Sequence, residues 1–323
     1  MKHKIIIWGY PIHSHTHSYI HEAFYKAFKH MGYDVYWFHD GCFPFDFNFN
    51  DCIFWTEGFA DNNIPLNSTS TYFVHVCPSP KKYLDAGVKK FIDVRYNHVW
   101  HKDHVYEYTL DKSNAEKIGP GCYLEKKKIG ESTHVINNYH NYAISDYDKL
   151  YITWATNLLP DEFNIDDVNY PRENAIYFCG NISPSGRCEN TSTFTPFINE
   201  SRQNGVPFHI NDPFVNPLPN EEVIRRTKNS ILGVDVRGPE HLRNGYVPCR
   251  VFKSISWGHL GMTNSQEVFK ELEGNCILEE DTARLFHVAM ERKTDLDFIR
   301  KSMMYVKENH TYINRIKSIM SII

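Results

Sequence analysis

The sequence predicts an α/β protein of two halves, each built on a mostly parallel, doubly wound sheet. Short runs of β-branched and aromatic residues alternate along the chain with segments of helical periodicity, which is typical of βαβ units. The length of 323 residues suits two domains of ordinary size. A polar, acidic, proline-bounded stretch at 157–170 separates the halves. We therefore expect domains over residues 1–160 and 170–308.

The first half begins with a predicted strand at 4–8, which a histidine-rich loop follows. The next segment, 18–31, has apolar residues at helical spacing, and Gly32 stands where a C-cap glycine ends a helix. Further strands are predicted at 35–38, 52–55, 72–76, 90–94 and 151–155, with a short helix at 81–87.

The second half shows the same alternation of strands and helices. Its predicted strands are 175–179, 208–210, 231–236 and 259–263, and its predicted helices are 193–204, 221–228, 248–257, 282–293, 296–308 and 311–323. Ligands of doubly wound sheets bind at the carboxyl ends of the strands. The sequence therefore predicts a ligand cleft between the two halves.

Composition excludes several classes of function. A net charge of −4 gives no reason to expect a nucleic-acid partner. No apolar run approaches the roughly 18–20 residues that cross a bilayer, and the first residues lack a secretory signal, so a cytoplasmic protein is expected. The eight cysteines form no C-x-x-C pair, which argues against a zinc ribbon or a disulfide framework. No G-x-G-x-x-G follows either opening strand, which disfavours a nicotinamide oxidoreductase.

The segment 231–264 carries the clearest signal of a binding site. Pro248 begins a helix, and Arg250 and Lys253 lie three residues apart, so they share one face near its N-terminus. A helix N-terminus beside two cations suits a diphosphate. Arg237 ends the preceding predicted strand, and Tyr246 and Asn264 flank the helix.

The run Arg250-Val-Phe-Lys-Ser-Ile-Ser-Trp-Gly258 resembles the pattern R-x-[FY]-E-x-x-[AS]-x-G of glycosyltransferases with two Rossmann-like domains facing across a cleft, the GT-B architecture. The likeness is closest to the group-1-like, CgeB-type branch and spans about a tenth of the chain. It implies that the second domain binds a nucleotide-diphosphate sugar, that the first binds the acceptor, and that the C-terminal helix 311–323 packs back on the first domain. Lys253 replaces the acid that grips the donor ribose, which favours a phosphate or sugar contact instead.

The same resemblance implies that the loop after the first strand of the second domain approaches the donor diphosphate. This loop offers Asn181, Ser183, Gly186 and Arg187, which provide small side chains, accessible amides and one charge. An ordinary surface turn is the alternative interpretation of this loop.

Four residues of the first half are candidates for the base that takes the acceptor proton. His15 and His17 lie in the loop after the first strand, and Asp40 and Glu57 each follow a later strand. Each could reach a hydroxyl in the cleft. Structural histidines, helix caps and solvated loop acids are the alternatives.

His13, His15 and His17 also form an H-x-H-x-H run, whose side chains would share one side of an extended segment. This run weakly resembles the metal-binding signature of amidohydrolase-type enzymes, so a metal-dependent hydrolase is one alternative. A non-catalytic nucleotide-sugar-binding protein is another. The favoured hypothesis is a metal-independent glycosyltransferase that has no bound cofactor and moves a hexose or pentose to a hydroxyl of a glycan or other acceptor.

Overall fold

A computed structural model describes residues 3–75, 77, 80–95, 115–126, 147–168, 172–183, 189–213, 215–243 and 245–323. The protein is α/β, with a large, mostly parallel sheet in its first half and ten α-helices among the described residues. None of these helices combines the length and apolar character needed to cross a membrane.

The first half forms an eight-stranded sheet in the order β2-β1-β3-β4-β5-β8-β7-β6. Strands β1 to β5 and β8 pair in parallel, while β7 and β6 extend one edge antiparallel. The elements are β1 (Ile5–Trp8), α1 (Ser18–His30), β2 (Val35–Phe38), β3 (Ile53–Glu57), β4 (Thr71–His75), α2 (Pro80–Asp85), β5 (Lys90–Arg95), β6 (Ala115–Gly119), β7 (Cys122–Lys126) and β8 (Tyr147–Ile152).

The strand order reverses direction between β1 and β3, because β2 lies on the other side of β1. Parallel sheets bind ligands at this kind of topological switch point, in the crevice outside the carboxyl ends of the strands. The loop after β1 and the last residue of β3, Glu57, both lie at this edge. A ligand bound at the switch point would therefore contact these two segments.

Both faces of the first sheet are covered. One face packs against the apolar side of α1, including Phe24 and Phe28, and the other packs against residues such as Tyr83 of α2. The prediction of helix α1 is confirmed, because the helix begins at the predicted residue and ends one residue before the predicted end. Gly32 follows it with a φ of 75°, which a glycine adopts without strain.

The second half has one large buried cluster and two short parallel strand pairs, β9 with β10 and β11 with β12. Its elements are β9 (Ile176–Cys179), α3 (Thr191–Gln203), β10 (Phe208–Asn211), α4 (Asn220–Asn229), α5 (Pro239–Arg243), α6 (Cys249–Ser256), β11 (Met262–Thr263), α7 (Gln266–Glu271), β12 (Ile277–Leu278), α8 (Thr282–Arg292), α9 (Leu296–Asn309) and α10 (Tyr312–Met320).

The predicted strand at 231–236 is wrong, although Val234 and Val236 are buried as expected. The Ile231 amide donates to the Ala175 carbonyl at 2.9 Å, and side chains make further bonds at the two ends of the segment. The Ser230 hydroxyl accepts the bond from the Tyr177 amide at 3.1 Å, and the Asn264 side chain accepts the bond from the Arg237 amide at 2.7 Å. The segment therefore joins β9 to the end of β11 without forming a ladder with either.

The helix α6 begins after Pro248 and ends before Gly258, as the sequence predicts. Pro248 is the extended N-cap residue rather than the first helical residue. Gly258 has a φ of 77°, and the amides of Gly258 and His259 bond back to Ile255 and Ser254 at 2.9 and 3.1 Å. This C-cap turns the chain sharply into the buried strand β11.

The C-terminal helix α10 packs against α1, and Ile313, Ile316 and Ile319 belong to the first-half core. Arg315, on the same helix, is fully buried. Its guanidinium donates to the carbonyls of Pro120, Thr153, Trp154 and Asn309 at 2.6 to 3.1 Å, and it contacts the Thr153 hydroxyl and His310 Nδ1 at 2.9 Å. One side chain thus satisfies acceptors from three separate segments.

We expect the substitution Arg315→Met to lower the free energy of unfolding by at least about 3 kcal/mol, because each buried acceptor left unpaired costs roughly 1–3 kcal/mol. Chemical denaturation followed by circular dichroism measures this loss. The matched control is Arg300→Met, since Arg300 is 40% exposed in a loose pair with Asp297. That change should cost less than about 0.5 kcal/mol. Equal losses for the two variants would contradict the role given to Arg315.

Candidate functional site

Two groups of polar side chains lie at the carboxyl-end loops of the two halves. The first group, here called the cationic cluster, consists of Arg237, His241, Tyr246 and Arg250. Helix α5 carries His241, helix α6 carries Arg250, and the ring centroids of His241 and Tyr246 are 4.9 Å apart. The cluster lies immediately around the helix end that the sequence predicts to bind a diphosphate.

Arg250 is held against the end of β9. Its Nη2 donates to the Cys179 carbonyl at 3.0 Å, and its guanidinium lies 4.3 Å from the centroid of the Phe178 ring. A Cβ at Gly180 would stand 2.2 Å from Nη2, so only glycine leaves room for the guanidinium. Burial, together with the charge of Arg237, lowers the pKa of Arg250. Within the described residues Arg250 forms no ion pair with a carboxylate.

Arg237 is 4% exposed and pairs with Asp235, which is fully buried. The other Asp235 oxygen accepts from the Thr263 hydroxyl at 2.9 Å. Asn264 fixes the backbone of Arg237 through bonds of 2.7 and 3.0 Å to its amide and carbonyl. Asn264 is therefore a positioning residue rather than a direct ligand group. Two arginines share the cluster, and one carboxylate is paired with only one of them.

The remaining predicted donor-side residues lie around this cluster. Lys253 lies one turn after Arg250. Its side chain is half-buried and makes no hydrogen bond or ion pair among the described residues. Asn181 donates to Asp212 at 2.5 Å, and the amide of Ser183 is held by the Asn190 side chain at 2.9 Å. Gly186 and Arg187 lie outside the described residues, so the predicted roles of these two residues stay predictions.

The second group, here called the His–Glu cluster, consists of His17, Glu57 and His75. Glu57 ends β3 and His75 ends β4, and the parallel register sets these two residues side by side. Nδ1 of His75 lies 2.6 Å from Oε2 of Glu57, and Nδ1 of His17 lies 3.1 Å from the same oxygen. His17 caps the start of α1, so the loop after β1 brings it to the switch point of the sheet.

Burial and charge tune this cluster. Burial alone raises the pKa of Glu57, but the neighbouring His75 and His17 outweigh it and leave that pKa well below its usual range. Burial lowers the pKa of His75, and it lowers the pKa of nearby His21 to about 3. Burial and the charges of Glu57 and Asp61 raise the pKa of Tyr10 to about 12. Glu57 is thus an ionised anchor for two imidazoles and a weak proton acceptor.

The expected extended H-x-H-x-H segment is wrong, because residues 12–17 form turns and His13 has a φ of 68°. His13 bonds instead to the Tyr19 hydroxyl at 3.2 Å. His15 stacks on Tyr10 with ring centroids 4.2 Å apart, and its Nδ1 accepts from the His17 amide at 3.1 Å. The three side chains therefore face different neighbours, and only His17 joins the His–Glu cluster.

Asp40 lies apart from the His–Glu cluster in its bonding. Its carboxylate accepts from the Trp8 indole at 2.9 Å and from the amides of Asn62 and Asn63 at 2.8 and 3.0 Å. These bonds tie the loop after β2 to the loop after β3. The geometry gives Asp40 a structural role, whereas His17 and Glu57 are brought together.

Trp154 contacts both clusters. Its ring centroid lies 5.1 Å from that of His75 and 6.3 Å from that of His17. Trp154 also forms a hydrogen bond with Tyr246. Burial raises the pKa of the Tyr246 hydroxyl to about 12, and this hydrogen bond acts in the opposite direction. One buried indole therefore contacts members of both clusters.

Sequence reasoning missed His75, His241 and Trp154 as parts of the site. The signal for His75 was its position at the end of a strand next to the one that ends in Glu57, which requires the strand order to be known. No sequence signal distinguishes Trp154 from an ordinary core residue. The chain matches no model of a known protein family and no curated protein.

The cationic cluster predicts a specific pH dependence of stability. Burial, Arg237 and Arg250 lower the pKa of His241 from its ordinary 6.5 to about 3. Between these values the unfolded chain binds a proton that the folded protein does not. His241 therefore makes the free energy of unfolding fall as the pH drops from about 6.5 towards 3, by up to about 1.4 kcal/mol per pH unit.

We expect His241→Gln to flatten the pH profile of the free energy of unfolding within this window. Denaturant titrations at several pH values between 4 and 7 measure the slope. An unchanged slope in the variant would show that His241 already takes up its proton in the folded protein.

Proposed function

We propose that the protein is a glycosyltransferase of GT-B type that moves a sugar from a nucleotide-diphosphate donor to an acceptor hydroxyl. The observation that carries the proposal is the cationic cluster, where Arg250 has no carboxylate partner among the described residues beside Arg237. Two confined cations with one paired carboxylate leave a positive charge that a bound anion would neutralise.

The charges and hydrogen-bond donors of the cluster suit a diphosphate. Arg250 and Lys253 lie on one side of α6, with the first turn of the helix directed to the same region. The Gly180 amide already donates to the Asn211 carbonyl at 2.9 Å, so further donors to a diphosphate would come from the first-turn amides of α6. Phosphate oxygens accept several such bonds at once, whereas an uncharged ligand would leave the cations unpaired.

The proposed reaction separates into two halves. The oxygen of the acceptor hydroxyl forms a bond to the anomeric carbon of the sugar, while the bond from that carbon to the diphosphate oxygen breaks. The diphosphate leaves with the electron pair, and Arg250 and Lys253 stabilise its growing charge. In an inverting transfer the acceptor proton passes to a base, and a retaining transfer needs no such group.

The His–Glu cluster is the proposed acceptor side. His17 is its most accessible member, with its side chain 16% exposed against 1% for Glu57 and 3% for His75. Glu57 fixes the orientation of the His17 ring through its Nδ1. Among the four predicted bases, His17 therefore combines access with an anchoring carboxylate.

Trp154 links the two sides of the proposed site. Its contacts with His75 and with Tyr246 leave little distance between the acceptor side and the donor side. Trp154 is only 2% exposed, so its role is to hold His75 and Tyr246 in place rather than to stack on a sugar. We therefore propose Trp154 as the positioning residue that connects the two sides of the site.

We expect Arg250→Ala to weaken nucleotide-diphosphate binding by roughly ten- to hundred-fold, because a charge-assisted contact is worth about 1.5–3 kcal/mol. Isothermal titration calorimetry with UDP, GDP and dTDP, after a thermal-shift screen, measures this change.

The matched variant Gly180→Ala keeps every charge and displaces chiefly the guanidinium, with a smaller shift of the Phe178 ring, so it should weaken binding of the same nucleotide. Arg284→Ala, at an exposed arginine paired with Glu279, is the control and should leave the affinity unchanged. Native affinity in both site variants would sink the assignment of the donor site.

We expect His17→Ala to slow sugar transfer by about 100- to 10,000-fold, the usual effect of losing a general base, with donor affinity unchanged. His30→Ala, at an exposed position on the same helix, should transfer at the native rate. Asp40→Asn should also retain transfer, because its carboxylate serves the loop at 62–63. A protein that binds the nucleotide, but shows neither transfer nor donor hydrolysis, would be the non-catalytic binding protein instead.

A further inference from the structure

We propose that the His–Glu cluster binds one divalent transition-metal ion through His17 Nδ1, His75 Nδ1 and a Glu57 carboxylate oxygen. These three ligand atoms lie within 4.8 Å of one another. Two imidazoles and one carboxylate are a ligand set found around catalytic zinc, which leaves a fourth position for water or substrate. The nitrogen ligands disfavour magnesium and calcium, which take oxygen ligands.

The setting of the cluster fits a built site. Glu57 and His75 are almost fully buried at the ends of two neighbouring strands, so the backbone of the sheet fixes two of the three ligands. His17 is the more exposed ligand and stands at the start of α1, on the side from which an ion and a substrate can enter. Binding an ion would require only small shifts of the three ligand atoms. The distances from Oε2 of Glu57 to Nδ1 of His75 and of His17, now 2.6 and 3.1 Å, would widen to the separation of neighbouring ligands around an ion.

Nearby residues complete the surroundings that metal sites use. Trp154 covers one side of His75 with its ring, and His21 Nε2 lies 4.0 Å from Oε2 of Glu57. Tyr10 and His15 form a stacked pair, and the ring centroid of His15 lies 4.8 Å from that of His17. A cation here would neutralise the buried carboxylate, whose ion-pair partners among the described residues are all imidazoles.

This inference deepens the proposed function, and its catalytic part rests on that function. A cation bound to His17, His75 and Glu57 would take an acceptor oxygen in its open position and lower the pKa of the hydroxyl. The proton would pass to water, and the oxygen would attack the anomeric carbon as the diphosphate leaves. The ion would then replace His17 as the activating group, in contrast to the metal-independent enzyme that the sequence favours.

The test is metal binding by untagged protein that has been stripped with a chelator and dialysed. Zinc uptake is measured by mass spectrometry after equilibrium dialysis, and cobalt uptake by visible absorption, which reports the ligand geometry. We expect one ion per chain. Glu57→Gln and His75→Asn should each weaken zinc binding by at least about 100-fold, more than the loss of an outer-shell partner. Far-ultraviolet circular dichroism and melting temperature check that the variants are folded.

The matched controls are His13→Asn and His30→Asn, which remove histidines outside the cluster and should leave uptake unchanged. No uptake by the native protein, or uptake that both Glu57→Gln and His75→Asn retain, would overturn the inference. Because nucleotide binding is measured separately by calorimetry, UDP or GDP binding without metal uptake would leave the proposed function standing. Metal uptake without any nucleotide binding would instead remove the glycosyltransferase and keep the metal site.

Discussion

The buried guanidinium of Arg315 holds together the parts of this protein that matter for the site. It binds the segment after β8 at Thr153 and Trp154, the turn between β6 and β7 at Pro120, and the end of α9 at Asn309. Gly121, with a φ of 63°, leaves the space that the guanidinium occupies. Among the described residues this buried charge has no carboxylate partner, and it is tolerated because four backbone carbonyls accept its hydrogen bonds.

The same network reaches both clusters through short chains of contact. His310 accepts from Arg315 and stacks on Phe252 of α6 with ring centroids 4.6 Å apart, so the helix that carries Arg250 rests on it. Ser256 of α6 donates to Thr156 at 2.7 Å, and the Thr156 amide donates to the His310 carbonyl at 3.0 Å. The segment 153–156 is therefore fixed from both sides, and Trp154 within it has a defined place in contact with both clusters.

Periodicity made most of the regular elements predictable, since α1, β2, α8 and α9 each carry an unbroken apolar pattern. The edge strand β6 was missed because residues such as Glu116 and Lys117 are exposed and show no apolar pattern, and its neighbour β7 was missed although Cys122 and Leu124 are buried at alternate positions. The segment 231–236 has the composition of a buried strand, yet it forms no ladder, and the side chains of Ser230 and Asn264 make bonds at its two ends. Composition reports burial, but it does not report which groups satisfy the backbone.

The candidate site was predictable in part for the same reason. Arg250 and Glu57 stand out because a charge beside an apolar run requires an explanation, whereas His75 gains meaning only when β4 is known to lie beside β3. The run of three histidines was misleading, since its alternation implies a common side only in an extended chain. The chain turns at residues 12–17, where His13 has a positive φ, so the three rings face different neighbours.

The strand order explains why the predicted acids took such different roles. Asp40 follows β2, which lies outside β1, and it reaches back across the edge of the sheet to the indole of Trp8 and to the loop at 62–63. Glu57 ends β3 on the inner side of β1, where the loop after β1 places His17 and the next strand places His75. Two acids with the same sequence context thus differ because one lies outside the switch point and the other lies within it. The reversal of strand order forms the crevice, and the residue that ends β3 therefore lies in it.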